Sequence, residues 1–387
     1  MMRPMKLAGD QLLFGEGTLE HLETLKGKKA VIVTSGDALQ KTGILDMVRE
    51  HLSRANITTT TFDDVEPDPS FDTVKKGTKI MLEFEPDLII AVGGGSAMDA
   101  AKAMWIYYEH PELKALSDIL PPNEFPTLRK KAKLVCIPST AGTASEVSRS
   151  IVITDSNMKH GIGNMEMMPD VAICDPIVTV SMPASLTSAT GMDALTHALE
   201  AYMSNRANHL SDVLAVSAIK DVIAYLVLTV ENPKNIKLRE KMLNASMVAG
   251  MAFTNVSLGI VHSIAHTIGS YFHVPHGLAN AILLPYVITY NMQNEDAKNR
   301  YEELEKEIGV SSIIDTVIEM NKKLKIPADF KTLIKDEKSF LSKVDEMAAV
   351  SLKDGCTKTN PIIPPMEDFA KIIRAAYFGK IGIKSWN

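Results

Sequence analysis

Two short segments of the chain concentrate side chains that bind metal ions. The first, GMDALTHALEAY, carries Asp193 and His197; the second, GIVHSIAHTIGSYFHVPHG, carries His262, His266, His273 and His276. They lie about 65 residues apart, and four of the ten histidines fall within fifteen residues of one another. Asp193 with His197, and His262 with His266, are i, i+4 pairs, a spacing that puts both side chains on one helix face. One carboxylate with several imidazoles makes a donor set for a divalent transition metal. A lone histidine on an Ala/Leu-rich helix is more often packed or capping than ligating. Two such pairs plus a His-Gly turn in one chain point instead to a metal centre.

Composition bounds what surrounds that centre. A chain of 387 residues predicts two domains. Hydrophobic content of 45% and charged content of 23% are ordinary for a soluble globular protein. A net charge of −6 argues against a nucleic-acid partner or an anionic membrane surface. Cys136, Cys174 and Cys356 are odd in number and form no CxxC, which speaks against a disulfide framework or a thiolate zinc site and fits a reducing cytoplasm. The opening MMRPMKLAGD has no apolar h-region, so no signal peptide is expected. The apolar stretch near Val222 to Val230 is too short and interrupted to cross a bilayer.

The first half alternates strand-like and helix-like segments. Strands are expected at Lys29 to Thr34, Ile57 to Phe62, Asp87 to Val92 and Lys133 to Ile137, with weaker ones at Ile151 to Thr154 and Val171 to Cys174. Helical periodicity covers Lys41 to Arg54 and Phe71 to Phe84. Short, almost wholly apolar strands alternating with helices imply a parallel sheet covered on both faces. Leu116 to Lys131, with three prolines, reads as a long surface loop. The texture changes at Met182-Pro183, beyond which the chain is helical almost throughout. The expectation is an α/β domain over residues 1–182 and an all-α domain over 183–387.

Two loops of the first domain suit a phosphate-bearing ligand. Strand DLIIAV runs into Gly93, Gly94, Gly95 and Ser96, which open a helix. Glycines admit an anion close to the backbone, and a helix start offers free N–H groups and a positive dipole end. Such turns also serve tight packing alone, and this one is not GxGxxG. The next strand leads into PSTAGTASEVS, where Ser139, Thr140, Thr143 and Ser145 cluster. Ligands of open α/β sheets bind at the carboxyl ends of strands. Two loops of this chemistry at one sheet edge favour a dinucleotide.

In these residues the chain resembles the iron-activated (group III) alcohol dehydrogenases, in particular their primary-alcohol or butanol dehydrogenase branch. The resemblance runs through VEPDPS (65–70), GGGSAMDAAK (93–102), PSTAGTASEVS (138–148), TGMDALTHALEAY (190–202), MAFTNVSLGIVHSIAHTIGSYFHVPHGLANAILLP (251–285) and TKTNP (357–361). It implies an N-terminal dinucleotide-binding parallel-sheet domain and a C-terminal helical metal-binding domain, the architecture shared with dehydroquinate synthases. It implies NAD- or NADP-linked interconversion of small alcohols and aldehydes, and a dimer or larger homo-oligomer is expected. The metal ligands implied are Asp193, His197, His262 and His276, with Fe(II) as the ion and zinc as the alternative. His266 then lines the site and positions substrate or relays a proton, with His273 a weaker relay candidate; spacing alone leaves His266 and His276 interchangeable. The resemblance places Gly94, Gly95 and Ser96 at the pyrophosphate, Ser139, Thr140 and Thr143 along the adenine and nicotinamide side, Ser148 and Lys159 in the cofactor cleft, and Asp68 near the adenosine.

One departure bears on the cofactor. Relatives that prefer NAD often carry Asp directly after the first strand's Val-Thr, where it accepts from the ribose 2′-OH and repels a 2′-phosphate. Here Ser35 and Gly36 intervene before Asp37, so NAD versus NADP turns on whether Asp37 swings in. Three other readings compete: a polyol (glycerol or diol) dehydrogenase, a dehydroquinate synthase-type lyase, and a metal-stabilised structural module. The last leaves the glycine and hydroxyl loops idle.

Overall fold

The computed structural model describes residues 5–156 and 158–382. The chain forms two compact units, one built from residues up to Met182 together with Pro233–Met247, the other from Pro183–Asn232 and Val248 onward. The first differs from the sequence division by the segment 233–247, the start of a helix that begins in one unit and ends in the other. Its Arg239 is buried and donates from Nε to the carbonyl of Pro233 at 2.8 Å and from a terminal nitrogen to that of Met182 at 3.0 Å.

In the first unit, strands β1 (Gln11–Phe14), β2 (Lys29–Val33), β3 (Thr58–Phe62), β4 (Leu88–Gly93), β5 (Lys133–Pro138) and β8 (Val171–Cys174) form one sheet in the order β1-β8-β5-β4-β2-β3. Every pairing in it is parallel. Its centre is apolar on both sides because neither face meets water. Ala30, Ile32, Ile90 and Val92 pack with Leu45, Val48 and Leu52 on one face. Val31, Val33, Ile89 and Ala91 pack with Met98, Met104 and Trp105 on the other. The covering helices include α1 (Ala38–Lys41), α2 (Ile44–Arg54), α3 (Phe71–Phe84) and α4 (Gly95–Glu109). β2 leads outward to β3 on one side while β4 leads to β5 and β8 on the other, so strand order reverses between β2 and β4. That is the switch point where an open sheet leaves a crevice beyond its strand ends.

Two expectations are corrected, and two strands are added. Ile151 to Thr154 is a strand, but it lies in a separate antiparallel hairpin, β6 (Ser150–Asp155) with β7 (Met158–Gly163), rather than in the parallel sheet. The Leu116 to Lys131 segment is not merely a surface loop: it opens with a 3-10 turn, and Leu116, Ile119 and Leu128 are buried in the core beneath it. β1 and β7 have no strand signal in the sequence; β1 is a four-residue edge and β7 contains two glycines.

The second unit is helical. It carries α5 (Ala184–Met203), α6 (His209–Glu231), the end of α7 (Ile236–Val256), α8 (Ile260–Phe272), α9 (His276–Asn291), α10 (Glu295–Ile308), α11 (Ile313–Lys323), α12 (Glu337–Lys353) and α13 (Met366–Phe378). Several starts carry a side-chain cap of the expected type, including Asn208, Asn294, Ser312 and Asp336. α6 is long and apolar enough to cross a membrane by composition; it packs along α5, with Val222 and Leu226 fully buried.

A buried ammonium ties α4 to the hydroxyl-rich loop. Lys102 Nζ donates to the carbonyls of Ser145 and Ser148 at 2.7 and 2.9 Å and to Ser145 Oγ at 2.9 Å. Asp99, one turn earlier, accepts from Ser145 Oγ and from the Val152 N–H. Removing one member of such a network strands the others away from water. Lys102→Ala is therefore expected to lower unfolding stability by about 3 kcal/mol, measured by urea denaturation. A change below about 0.5 kcal/mol, the range of surface substitutions, would show that the ammonium does not hold this loop.

Candidate functional site

The helical unit builds the metal-ligating cluster from three helices. α5 carries Asp193 and His197, α8 carries His262 and His266, and His276 opens α9. Asp193 Oδ1 stands 3.7 Å from His262 Nε2, 3.7 Å from His276 Nε2 and 3.9 Å from His197 Nε2. A four-coordinate divalent ion with bonds of about 2.0–2.2 Å separates its ligand atoms by about 3.4 Å, so these spacings suit one ion. Ligand atoms of Asp193, His262 and His276 all lie within 4.8 Å of one another. His197 stands just outside that trio, beside Asp193, with its ring stacked on His262 at 4.7 Å between centroids.

The charge state of the cluster is that of a ligand set. Burial by itself would raise the Asp193 carboxyl, but the facing His197, His276 and His262 rings and the Asn280 amide hold it below its ordinary range. Burial drives His262 well below the usual imidazole range and His276 to about 3, against the pull of Asp193. The two rings are neutral at pH 7, as a metal-binding imidazole must be.

Three residues that the sequence reading did not single out hold these groups in place. Glu200 Oε2 lies 2.5 Å from His262 Nδ1, while its other oxygen accepts the Val261 N–H at 2.7 Å. With Nδ1 so engaged, His262 turns Nε2 toward Asp193, the outer carboxylate arrangement that orients metal-binding imidazoles. Burial pushes the Glu200 carboxyl up to about 7, against the N–H groups of Gly259 and Val261. Asn280 donates to Asp193 Oδ1 at 2.7 Å and lies 3.2 Å from Nε2 of both His262 and His276. Asp354 Oδ2 lies 2.9 Å from His266 Nδ1. Glu200 continues the Asp193–His197 helix face and Asn280 follows His276 by one turn, so both carried a periodicity signal. Asp354 is 88 residues from its partner and carried none.

His266 and His276, interchangeable by spacing, are separated by geometry. His276 brings Nε2 to Asp193, while His266 stacks on the His276 ring at 5.3 Å and turns Nδ1 to Asp354. His273 is the exposed C-cap of α8, in the left-handed region at φ 54°. Elsewhere, His51 and His110 pair with Glu23 and Glu112.

The first unit gathers the expected cofactor residues at the carboxyl edge of its sheet. α4 starts at Gly95 with no side-chain cap, leaving its first N–H groups for a ligand. A Cβ on Gly95 would meet Thr143 Cγ2 at 2.9 Å, and one on Gly94 would meet Thr140 Cγ2 at 3.2 Å, so the two loops touch only because both residues are glycine. The Ser139 N–H donates to the Gly93 carbonyl at 2.8 Å, and Thr140 Oγ1 is buried without a hydrogen-bond partner. Ser96 Oγ accepts from the Asp68 N–H at 3.4 Å, and the Asp68 carboxylate pairs with Lys159 at 2.8 Å. Ser148 Oγ accepts from the Ser150 N–H at 3.2 Å. At the β2 end, Gly36 takes φ 56° and Asp37 is exposed with its carboxylate on Lys41, one turn along α1. A glycine turn, free helix N–H groups and an unsatisfied hydroxyl at a switch point fit a dinucleotide pyrophosphate.

Acid should oppose the cluster with a definite sign. His262 and His276 are neutral when folded, but in the unfolded chain they take up protons below about pH 6.5. Their contribution to the stability of the chelator-treated protein is therefore present above that pH and is lost as pH falls from about 6.5 toward about 3, while Glu200, raised to about 7, contributes with the opposite sign over the upper part of that range. Between pH 7.5 and 5 the melting temperature of the wild type should fall more, or rise less, than that of His276→Gln; an identical slope in both proteins would contradict a folded-state His276 held neutral.

Comparison with known proteins agrees with this arrangement. Residues 10–176 match the family described as iron-containing alcohol dehydrogenase, and residues 187–377 match the Fe-containing alcohol dehydrogenase family, C-terminal. The chain is 45% identical to an NADPH-dependent butanol dehydrogenase of Clostridium saccharobutylicum, over 95% of this chain and 96% of that protein. It is 40% identical to aldehyde-alcohol dehydrogenase 2 of Entamoeba histolytica over 95% of this chain, spanning 46% of that longer protein. The solved structure of an iron-containing alcohol dehydrogenase from Thermococcus thioreducens superposes with a TM-score of 0.90 at 33% identity, covering 97% of this chain and all of that one. The chain belongs to the iron-containing alcohol dehydrogenase family.

Proposed function

We propose that this protein is a metal-dependent, NADP(H)-linked dehydrogenase that interconverts small primary alcohols and aldehydes. The observation that carries the reading is the convergence of Asp193, His262 and His276 on one centre, with His197 beside it. Imidazole and carboxylate donors suit Fe(II) and Zn(II) alike, and family membership favours iron. A divalent ion held there supplies Lewis acidity toward the substrate oxygen, and the nicotinamide exchanges the hydride.

The chain's own residues do the rest. Glu200 holds His262 with Nε2 inward, and Asn280 holds the Asp193 carboxylate. His266, next to the ligand cluster, takes the hydroxyl proton in oxidation and returns it in reduction. The Gly94, Gly95 and Ser96 turn holds the pyrophosphate; Ser139, Thr140, Thr143, Ser148 and Lys159 line the rest of the cofactor site, with Asp68 set by its pair with Lys159.

NADP(H) rather than NAD(H) is favoured by the β2 end. Asp37 is committed to Lys41, and Ser35 and Gly36 present no carboxylate to a 2′-phosphate. The 45%-identical relative is named NADPH-dependent. The three free thiols support a reducing, cytoplasmic setting, and the exposed Leu210, Val213 and Leu228 of α6 support self-association.

Iron-supplemented protein is expected to oxidise NADPH with butanal, followed at 340 nm, with kcat/KM at least tenfold above that with NADH. Ser35→Asp should lower the NADPH value at least tenfold and spare NADH, since a carboxylate there repels the 2′-phosphate. A wild-type preference for NADH would overturn the cofactor assignment. His262→Ala is expected to lose both bound metal and turnover; full turnover without metal would overturn the mechanism.

A further inference from the structure

Among the described residues, His266 has one hydrogen-bond partner on its ring, at Nδ1. Its ring stacks on His276, 5.3 Å between centroids and 13° from parallel, and meets His262 edge-on at 6.1 Å. Its Nδ1 is engaged by Asp354 Oδ2 at 2.9 Å, from the C-cap of α12. Asp354 is fixed in turn. The Cys356 N–H donates to its Oδ1 at 2.8 Å and Ser263 Oγ to the same oxygen at 3.3 Å, while Thr357 Oγ1 donates to Ser263 Oγ at 2.8 Å. A carboxylate only accepts, so the nitrogen facing it must carry the proton, and a neutral ring then has its lone pair on the other nitrogen.

We propose that Asp354 is a positioning residue that locks His266 in the Nδ1–H tautomer, so that Nε2 is the proton acceptor for the alcohol hydroxyl. This rests on the reading of His266 as the proton-handling group. In oxidation the substrate O–H bond breaks and its proton goes to Nε2. The C–H bond pair leaves as hydride to the nicotinamide, and the carbonyl forms from the electrons of the broken O–H bond. The imidazolium, its charge balanced by Asp354, releases the proton to water at a ring that is 22% exposed. Reduction runs the same transfers backward.

The geometry makes an unusual demand of two variants. In Asp354→Asn the amide oxygen must stay at the Oδ1 position, where the Cys356 N–H donates. The NH2 then replaces Oδ2 and donates to His266 Nδ1, forcing the ring proton onto Nε2 and removing the acceptor. Asp354→Ala imposes no tautomer. The near-isosteric variant should therefore be the slower enzyme: kcat falls about 10²-fold or more in Asp354→Asn and about tenfold in Asp354→Ala, with KM within about twofold and metal content unchanged. A structural role predicts the reverse order.

The tautomer itself is read by nitrogen NMR of histidine-labelled, zinc-loaded protein, with His266 assigned from the resonance missing in His266→Gln. The expected result is Nδ1–H in the wild type and Nε2–H in Asp354→Asn. The same tautomer in both, or Asp354→Ala slower than Asp354→Asn, overturns the proposal. So does a double variant, His266→Gln with Asp354→Asn, that loses more than His266→Gln alone. Wild-type turnover in His266→Gln instead sinks the proton-handling reading of His266, and this inference with it. A slow His266→Gln without the tautomer change sinks the role of Asp354 only.

Discussion

The Asp193 carboxylate, 2% exposed and faced by the imidazoles of His197, His262 and His276, is the constraint around which the helical unit is built. An isolated buried charge costs several kcal/mol, and neutral imidazoles compensate it only in part. A divalent cation at this centre would resolve the conflict: it would balance the Asp193 charge and take up the lone pairs of the neutral His262 and His276 rings. Desolvation of the charged ring is what resists protonation of His262 and His276, against the attraction of Asp193.

The supporting contacts follow from that demand. A ligand ring must be held by its second nitrogen, and each of two rings here has its own carboxylate: Glu200 for His262 and Asp354 for His266. The outcomes differ because the geometry differs. The nitrogen that His262 turns away from Glu200 faces Asp193, where it could serve an ion. His266 stands one helical turn on, stacked against His276, with its second nitrogen turned away from Asp354. One helix face thus supplies two imidazoles in different settings, set by which carboxylate holds each.

Much of this was legible in the sequence, for physical reasons. Central strands such as Leu88–Gly93 are buried on both faces, so they read as continuous apolar runs. The i, i+4 pairs of α5 and α8 declared a common face before any coordinate was known. Glu200 lies on that α5 face and Asn280 one turn beyond His276 on α9, but both are residue types that a solvated helix surface also carries. Asp354 was invisible because no local pattern links residues 88 positions apart. The β6–β7 hairpin and the 233–247 segment were missed for a related reason: a short strand or a helix start does not say which surface it will join.

X-ray absorption at the iron edge of the Fe(II)-loaded protein tests the central claim most directly. The account predicts a first shell of nitrogen and oxygen only, at about 2.0–2.2 Å, with outer-shell scattering from at least three imidazole rings, and loss of that spectrum in Asp193→Ala. Sulfur in the first shell, or an unchanged spectrum when Asp193 is removed, would place the ion elsewhere and contradict it.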